Sequence, residues 1–302
     1  MQEPRNLYIK SITQICDFLG MAKPKHPHFC VIRFEDFPEI QISERTRLIT
    51  DFYQITLKTE NPCKIQYGQN TFDFNEGVIS CFAPRQISII DVDFKFATAG
   101  WVLYVHPDFF RQYAVGQKIK DYGYFEYAVN EALILSEEEQ QSMEGIFTEI
   151  EKEYNRAIDL FSQDVVISYL DLLLTFCNRY YNRQFITRKT INSELLIKFC
   201  DILEKSILCS SENGLPNVAN LARQMNLSPK YLSDCLKQLT GQTTQQIIQD
   251  RIIDEAKDIL TTTELTVKEI AFQLGFEHPQ SFSKLFKSKI NKSPLEFRQS
   301  FN

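Results

Sequence analysis

The stretch TVKEIAFQLGFEHPQSFSKLFKSK, residues 266–289, decides how this chain is read. Thr266 followed three positions later by Glu269 has the spacing of a reciprocal cap, in which hydroxyl and carboxylate each satisfy a backbone N–H at a helix start. Ala271 leaves room for a second helix to cross closely, Gly275 supplies the left-handed backbone that a tight turn needs, and Phe276 plugs that turn. Pro279 then falls in the first turn of the next helix, where a missing N–H costs nothing. Phe282 and Phe286, four apart, share the face that pins this second helix to a core.

The same order of residues occurs once before. VANLARQMNLSPKYLSDCLKQLTGQT, beginning at Val218, lies over the segment from Val267 at an offset of 49 that becomes 50 after one inserted residue in the turn. Ala222 matches Ala271, Asn226 matches Gly275, Leu227 matches Phe276, and Leu232 with Leu236 matches Phe282 with Phe286. The sequence therefore predicts a helix-turn-helix unit twice, with Ala222, Leu232, Leu236, Ala271, Gly275, Phe276, Phe282 and Phe286 as its packing residues. Residues 244–260 read as one helix holding the units apart. Ser293, Pro294 and Glu296 are the N-cap, first and third positions of a short closing helix.

Charge follows the same division. The chain carries a formal charge of −6, yet residues 213–302 hold 11 Lys and Arg against 9 Asp and Glu. From His278 onward five basic side chains (Lys284, Lys287, Lys289, Lys292 and Arg298) face the single acid Glu296. A local basic face can hold phosphates on a chain that is acidic as a whole.

The 302 residues exceed one average core, and 43% apolar with 24% charged content belongs to a globular rather than a disordered chain. Up to about residue 113 the apolar period is two. FYQITLKT (52–59) alternates, and KIQYGQNTFDF (64–74) places Ile65, Tyr67, Phe72 and Phe74 about a Gly68-Gln69-Asn70 turn. From Ser136, which with Glu139 forms a second S-x-x-E box, the period becomes helical over 136–154, 161–181 and 194–208; CSSENG (209–214) then reads as a linker. The expected fold class is α+β: a β-rich domain over 1–135, a helical connector over 136–212, and an all-α domain over 213–302.

Residues 215–301 resemble the DNA-binding domain of the AraC/XylS family of bacterial transcription regulators, through RIIDEAKDIL (251–260), TVKEIAFQLGF, FSKLFK and SPLEFR. GWVLYVHPDFF (100–110) after CFAPRQ (81–86) is similar to the cupin-like sensor domains of that family. The resemblance implies a cytoplasmic transcription factor with double-stranded DNA as partner, modulated at the front domain by a small-molecule effector or a partner. It further implies pairing as a homodimer and contact with RNA polymerase if the protein activates. Gln280, Ser283 and Lys284 would face base edges from the second recognition helix, with Ser281, Lys287 and Lys289 toward phosphates. In the first copy Lys230, Ser233 and Asp234 would face the bases and Lys237 the backbone. Asp234 departs from the family, which often carries arginine there, and an acid repels phosphate.

No catalytic residue, cofactor or metal is expected. The eight cysteines are scattered without a C-x-x-C pair, as buried free thiols would be. HPHF offers His26 and His28 as a cupin-like pair, but the following acid, Glu35, is distant, and His106 precedes Pro107 at a strand end. The aromatics of the front (Phe52, Tyr53, Tyr67, Phe72, Phe74, Phe82, Trp101 and Tyr104) are expected to be core rather than pocket lining. The competing readings are a metal-dependent cupin enzyme and a DNA-binding protein whose front domain only dimerises. The longest apolar helical run, 165–177, is short and interrupted by Asp171, and no membrane partner is expected.

Overall fold

Alternation through residues 52–59 puts Ile55 and Leu57 on one side and Gln54, Thr56 and Lys58 on the other, and this segment becomes the centre of a sheet. The computed structural model describes residues 5–38, 44–60, 65–67, 70–72, 77–90, 92, 97–128, 131–187 and 189–300, with backbone alone at 60, 65–67, 70–72, 186–187 and 189–193. The chain divides into two compact units, residues 1–184 and 185–302.

The first unit begins with β1 (Arg5–Ile9), α1 (Ile12–Phe18), β2 (Phe29–Arg33), β3 (Thr46–Thr50), β4 (Tyr53–Glu60), β5 (Ile65–Tyr67) and β6 (Asn70–Phe72). It continues with β7 (Val78–Phe82), β8 (Ile87–Ile90), β9 (Ala99–Val105), α2 (Val115–Lys118), β10 (Leu133–Ile134), α3 (Glu137–Asn155) and most of α4 (Ser162–Thr187). Five strands form an antiparallel sheet in the order β10-β7-β4-β9-β2, and three form a second sheet, β1-β3-β8, in which β1 runs parallel to β3. A β5-β6 hairpin stands apart from both sheets.

The sheets face one another across a core that joins Ile9, Leu48 and Ile90 of the smaller to Cys30, Ile32, Val102 and Tyr104 of the larger, with Ile12, Ile15 and Leu19 of α1 between them. The opposite face of the larger sheet buries Ile55, Leu57, Ile79 and Leu103. There α3 stacks Phe147 on Trp101, and Glu151 accepts from the Trp101 indole N–H and from Arg33 Nε. Phe52 and Trp101 are core, as expected, and Tyr53 is half-buried; Tyr104, though buried, and the half-buried Phe82 line a cavity, against the expectation. The side chains of Tyr67, Phe72 and Phe74, and the Gly68-Gln69 step, lie outside the described residues. All seven described cysteines are free thiols, five of them buried; Cys63 is outside that set.

The second unit holds α5 (Lys189–Leu208), α6 (Ser210–Asn213), α7 (Val218–Gln224), α8 (Pro229–Thr240), α9 (Thr244–Thr262), α10 (Val267–Gln273), α11 (Pro279–Ile290) and α12 (Pro294–Gln299). Its core runs through α7 to α11 and takes Phe199, Leu203 and Ile207 from α5. This helix, expected within a connector, is thus packing material for the C-terminal helices. CSSENG is also not a linker. Cys209 starts α6, Ser210 is buried, and the segment lies so close to Gly275 that a Cβ there would stand 2.8 Å from the Ser210 carbonyl oxygen. The sequence signal misled because Ser, Asn and Gly favour helix ends as much as open loops.

Candidate nucleic-acid interface

The duplication predicted from sequence is present in the bonds that close the two turns, although the helix caps differ, Ser228 capping α8 while His278 makes no side-chain cap on α11. In the first unit of the pair the Leu227 N–H donates to the Ala222 carbonyl at 2.9 Å, and in the second Phe276 donates to Ala271 at 2.9 Å. Asn226 (φ 58°) and Gly275 (φ 83°) make the left-handed step at equivalent positions. Gly241 and Asn291 end the two second helices the same way, each with an N–H donating to a carbonyl four residues back, Lys237 and Lys287. Thr266 and Glu269 form the reciprocal cap, as do Ser293 and Glu296. Hydrogen bonds to the Thr266 hydroxyl and N–H hold the Glu269 carboxyl below the usual range, and Ser293 does the same for Glu296.

Of the eight packing residues named from sequence, Ala222, Leu232, Leu236, Ala271, Phe276, Phe282 and Phe286 are buried, and Gly275 makes the turn at φ 83°. The two second helices nevertheless differ in what they leave outside. On α11 only Phe282 and Phe286 are buried. Gln280, Ser281, Lys284 and Lys287 are exposed and Ser283 is half-buried. Lys284 and Lys287 make no ion pair among the described residues, so both charges face outward.

On α8 four residues are buried, Tyr231 and Cys235 in addition to Leu232 and Leu236. Phe185 meets the Tyr231 ring edge-on at 5.3 Å, and burial pushes the Cys235 thiol up to about 12. The wider buried face narrows the free one. Lys230, Ser233 and Asp234, expected outward, are half-buried and satisfied within the helix: Lys230 Nζ pairs with Asp234 Oδ1 at 3.2 Å, and the Ser233 hydroxyl donates to the Pro229 carbonyl at 2.8 Å. Lys237 is exposed. The Lys230–Asp234 pair was within reach of sequence reasoning, because opposite charges four apart on a helix meet.

Lys289, expected on a phosphate, has a partner inside the unit. Its Nζ donates to Asp250 Oδ1 at 2.7 Å, and the lysine side chain is only 26% exposed. Asp250 also accepts from Gln242, which follows α8, through Oδ2 at 3.0 Å. One carboxylate in the middle of α9 therefore ties the end of each second helix to the connecting helix. Arg298 is likewise internal: its Nε donates to the Leu260 carbonyl near the end of α9, where a cation suits the helix dipole.

In the first unit, His28, His106 and Asp108 come within ligand distance of one another, where spacing had offered only His26 and His28. Desolvation holds His106 below the usual imidazole range, and the hydrogen bond from Arg111 holds Asp108 below that of a carboxylate.

Residues 221–300 match a protein family described as a helix-turn-helix domain, and that domain is of the AraC type. The chain is similar to the HTH-type transcriptional activator RhaS of Escherichia coli, 37% identical over 79 residues that make up 26% of this chain and 28% of RhaS. It is also similar to histidine kinase P4 of Formosa agariphila, 27% identical over 117 residues, 39% of this chain and 8% of the kinase. Among solved structures, the C-terminal domain of the two-component response regulator yesN from Fusobacterium nucleatum is 32% identical, with 35% of this chain and 98% of that one covered at a TM-score of 0.32. The chain thus spans well under a third of the length of either curated relative.

Proposed function

We propose that the chain is a sequence-specific DNA-binding transcription regulator of the AraC type, in which α11 enters a major groove and carries most of the readout. The observation that supports this is the exposed, uncompensated face of α11 within a duplicated helix-turn-helix domain. Gln280, Ser283 and Lys284 reach base edges, glutamine suiting adenine and lysine guanine. Ser281, Lys287 and Lys237 meet phosphates. The α8 head positions more than it reads, since Lys230 and Asp234 spend their charges on each other. The heads lie on one chain, joined by an α9 of about 28 Å, so each protomer's site is asymmetric and spans successive major grooves about 34 Å apart.

The first unit supplies regulation in this reading. A cavity of about 170 Å³ between its sheets is lined by the inward row Gln54, Thr56 and Lys58 with Ser80, Phe82 and Tyr104. Buried polar groups on an otherwise apolar wall suit a small amphipathic effector. Pairing of two chains, contact with RNA polymerase and residence in the cytoplasm complete the reading; no helix among the described residues is long and apolar enough to cross a membrane.

Selection of bound duplexes from a random pool by the full chain tests the proposal. A specific, non-palindromic site per protomer is expected. Lys284→Ala loses about 1–3 kcal/mol on that site and relaxes preference at one base pair. Equal binding of selected and scrambled duplexes by the unaltered protein refutes it.

A further inference from the structure

We propose that His28, His106 and Asp108 bind a divalent transition-metal ion of the zinc class. The inference goes beyond the DNA-binding reading and does not rest on it, because all three residues belong to the first unit and none takes part in the helix-turn-helix domain.

Strand register brings the two histidines together. β2 pairs with β9 so that Phe29 lies opposite Val105, and the ladder continues one step further, with the His106 N–H donating to the His28 carbonyl at 2.8 Å. Directly opposed residues send their side chains to the same face of a sheet. The two rings stand 5.4 Å apart between centroids. Imidazoles that share one tetrahedral ion through bonds of about 2.0–2.1 Å have centroids roughly 5 Å apart, so the pair already has that spacing.

The third ligand comes from the turn that follows. After Pro107 the chain doubles back, and His106 Nδ1 accepts from the Asp108 backbone N–H at 3.3 Å while standing 3.4 Å from Asp108 Oδ2. Nδ1 is thus unprotonated, and an ion bound there would take the single lone pair that now accepts this long bond, replacing the contact with the Asp108 N–H. A separation of about 3.4 Å is the edge of a tetrahedron built on bonds of that length. One ligand atom from each of the three residues falls within 4.8 Å of the others.

Asp108 is oriented from behind by Arg111, whose Nε donates to Oδ1 at 2.9 Å, leaving Oδ2 toward the histidines. Outer partners of this kind fix a ligating carboxylate, although the guanidinium charge also opposes the ion and moderates affinity. His26 is turned elsewhere. Its Nδ1 accepts from the His28 backbone N–H at 3.1 Å, and its ring meets Phe109 edge-on. A plain cap of this turn would need only His106 and Asp108, whereas the half-buried His28 ring also lies against His106 at 5.4 Å between centroids. Two imidazoles and one carboxylate are a borderline donor set suited to Zn²⁺, Fe²⁺, Ni²⁺ or Cu²⁺ rather than Mg²⁺ or Ca²⁺, and three protein ligands leave a coordination position open.

The test uses the full chain and Zn²⁺ alone, in competition with a chromophoric chelator, followed by Co²⁺ as a spectroscopic stand-in. One ion per chain is expected, together with visible cobalt absorption that lacks a thiolate charge-transfer band. His106→Gln and Asp108→Asn should each weaken Zn²⁺ binding by at least about tenfold. His26→Gln should leave it unchanged. The Asp108 side chain is 45% exposed, so Asp108→Asn decides the matter even if a histidine variant fails to fold. Absence of one-to-one binding at micromolar Zn²⁺ overturns the proposal. So does unchanged affinity in Asp108→Asn, or a thiolate band that places the ion on the exposed Cys200 or Cys209.

Discussion

Lys287 and Lys289 are two positions apart on one helix and carry the same charge, yet their surroundings assign them opposite roles. Lys287 is exposed, whereas Lys289 is tied to Asp250 at 2.7 Å and is about a quarter exposed. Replacing each by alanine separates the two roles. If Lys287 neutralises one phosphate, its loss lowers the slope of log K against log salt by about 0.9. That corresponds to roughly eightfold weaker binding at 0.1 M salt and about twofold at 0.5 M, on cognate and scrambled DNA alike. Lys289→Ala should leave the slope unchanged and instead lower the stability of the C-terminal unit. A half-exposed pair with a short, charge-assisted hydrogen bond contributes about 0.5–1 kcal/mol, which moves a midpoint by several degrees in a unit of this size. Asp250→Asn should cost about the same, and the double variant little more than either single one, because the two changes remove one interaction. The assays are fluorescence anisotropy titrations at four salt concentrations and thermal unfolding of the same preparations. A slope lowered by one unit in Lys289→Ala, with no coupling to Asp250→Asn, would refute the assignment and return Lys289 to the phosphate backbone.

Residues 189–302 expressed alone should fold and melt cooperatively, while 215–302 should be largely unfolded at 25 °C. The shorter piece lacks Phe199, Leu203 and Ile207, each buried with about 1.5–3 kcal/mol, against a total of about 5–15 kcal/mol for a domain; equal melting of the two fragments would contradict this. Gly275→Ala should destabilise the unit by about 2 kcal/mol or more, since φ is +83° and the new Cβ would lie 2.8 Å from backbone atoms of Ser210 and Gly214. Asn226→Gly, at the equivalent left-handed position, should be close to neutral by the same denaturation assay. Glu151 is held below its ordinary value of 4.5, first by Arg33, so its contribution is present above the unfolded carboxylate range and is lost as pH falls through the lower folded value. Glu151→Gln should therefore flatten the acid side of the stability profile of the first unit, and an unchanged profile would show the Arg33 contact to be idle.

The sequence by itself determined the elements whose signals are local. Thr266 with Glu269, Asn226 and Gly275 in the turns, and the i, i+4 pairs Leu232/Leu236 and Phe282/Phe286 all act within about a dozen residues, so cap, turn and buried face were legible at both copies. Charges four apart on one helix, as in Lys230 and Asp234, belonged to the same legible class although they were read as outward-facing. Alternation likewise identified the β-rich front, but that the polar row Gln54, Thr56 and Lys58 of β4 lines a cavity came only from the structure. What only the tertiary structure decided depends on residues far apart in the chain. Lys289 meets Asp250 across 39 positions. Phe199, Leu203 and Ile207 enter a core whose other buried residues lie beyond residue 213, and segment 209–214 packs against a turn some sixty residues later. His28 finds His106 only because β2 and β9 pair in one register. Local rules describe the free energy of a few residues and a handful of backbone bonds. The partner of a long side chain, or the strand beside another, is selected by the packing of the whole unit, where many alternatives of similar local cost are separated only by how completely apolar surface is buried and polar groups are satisfied.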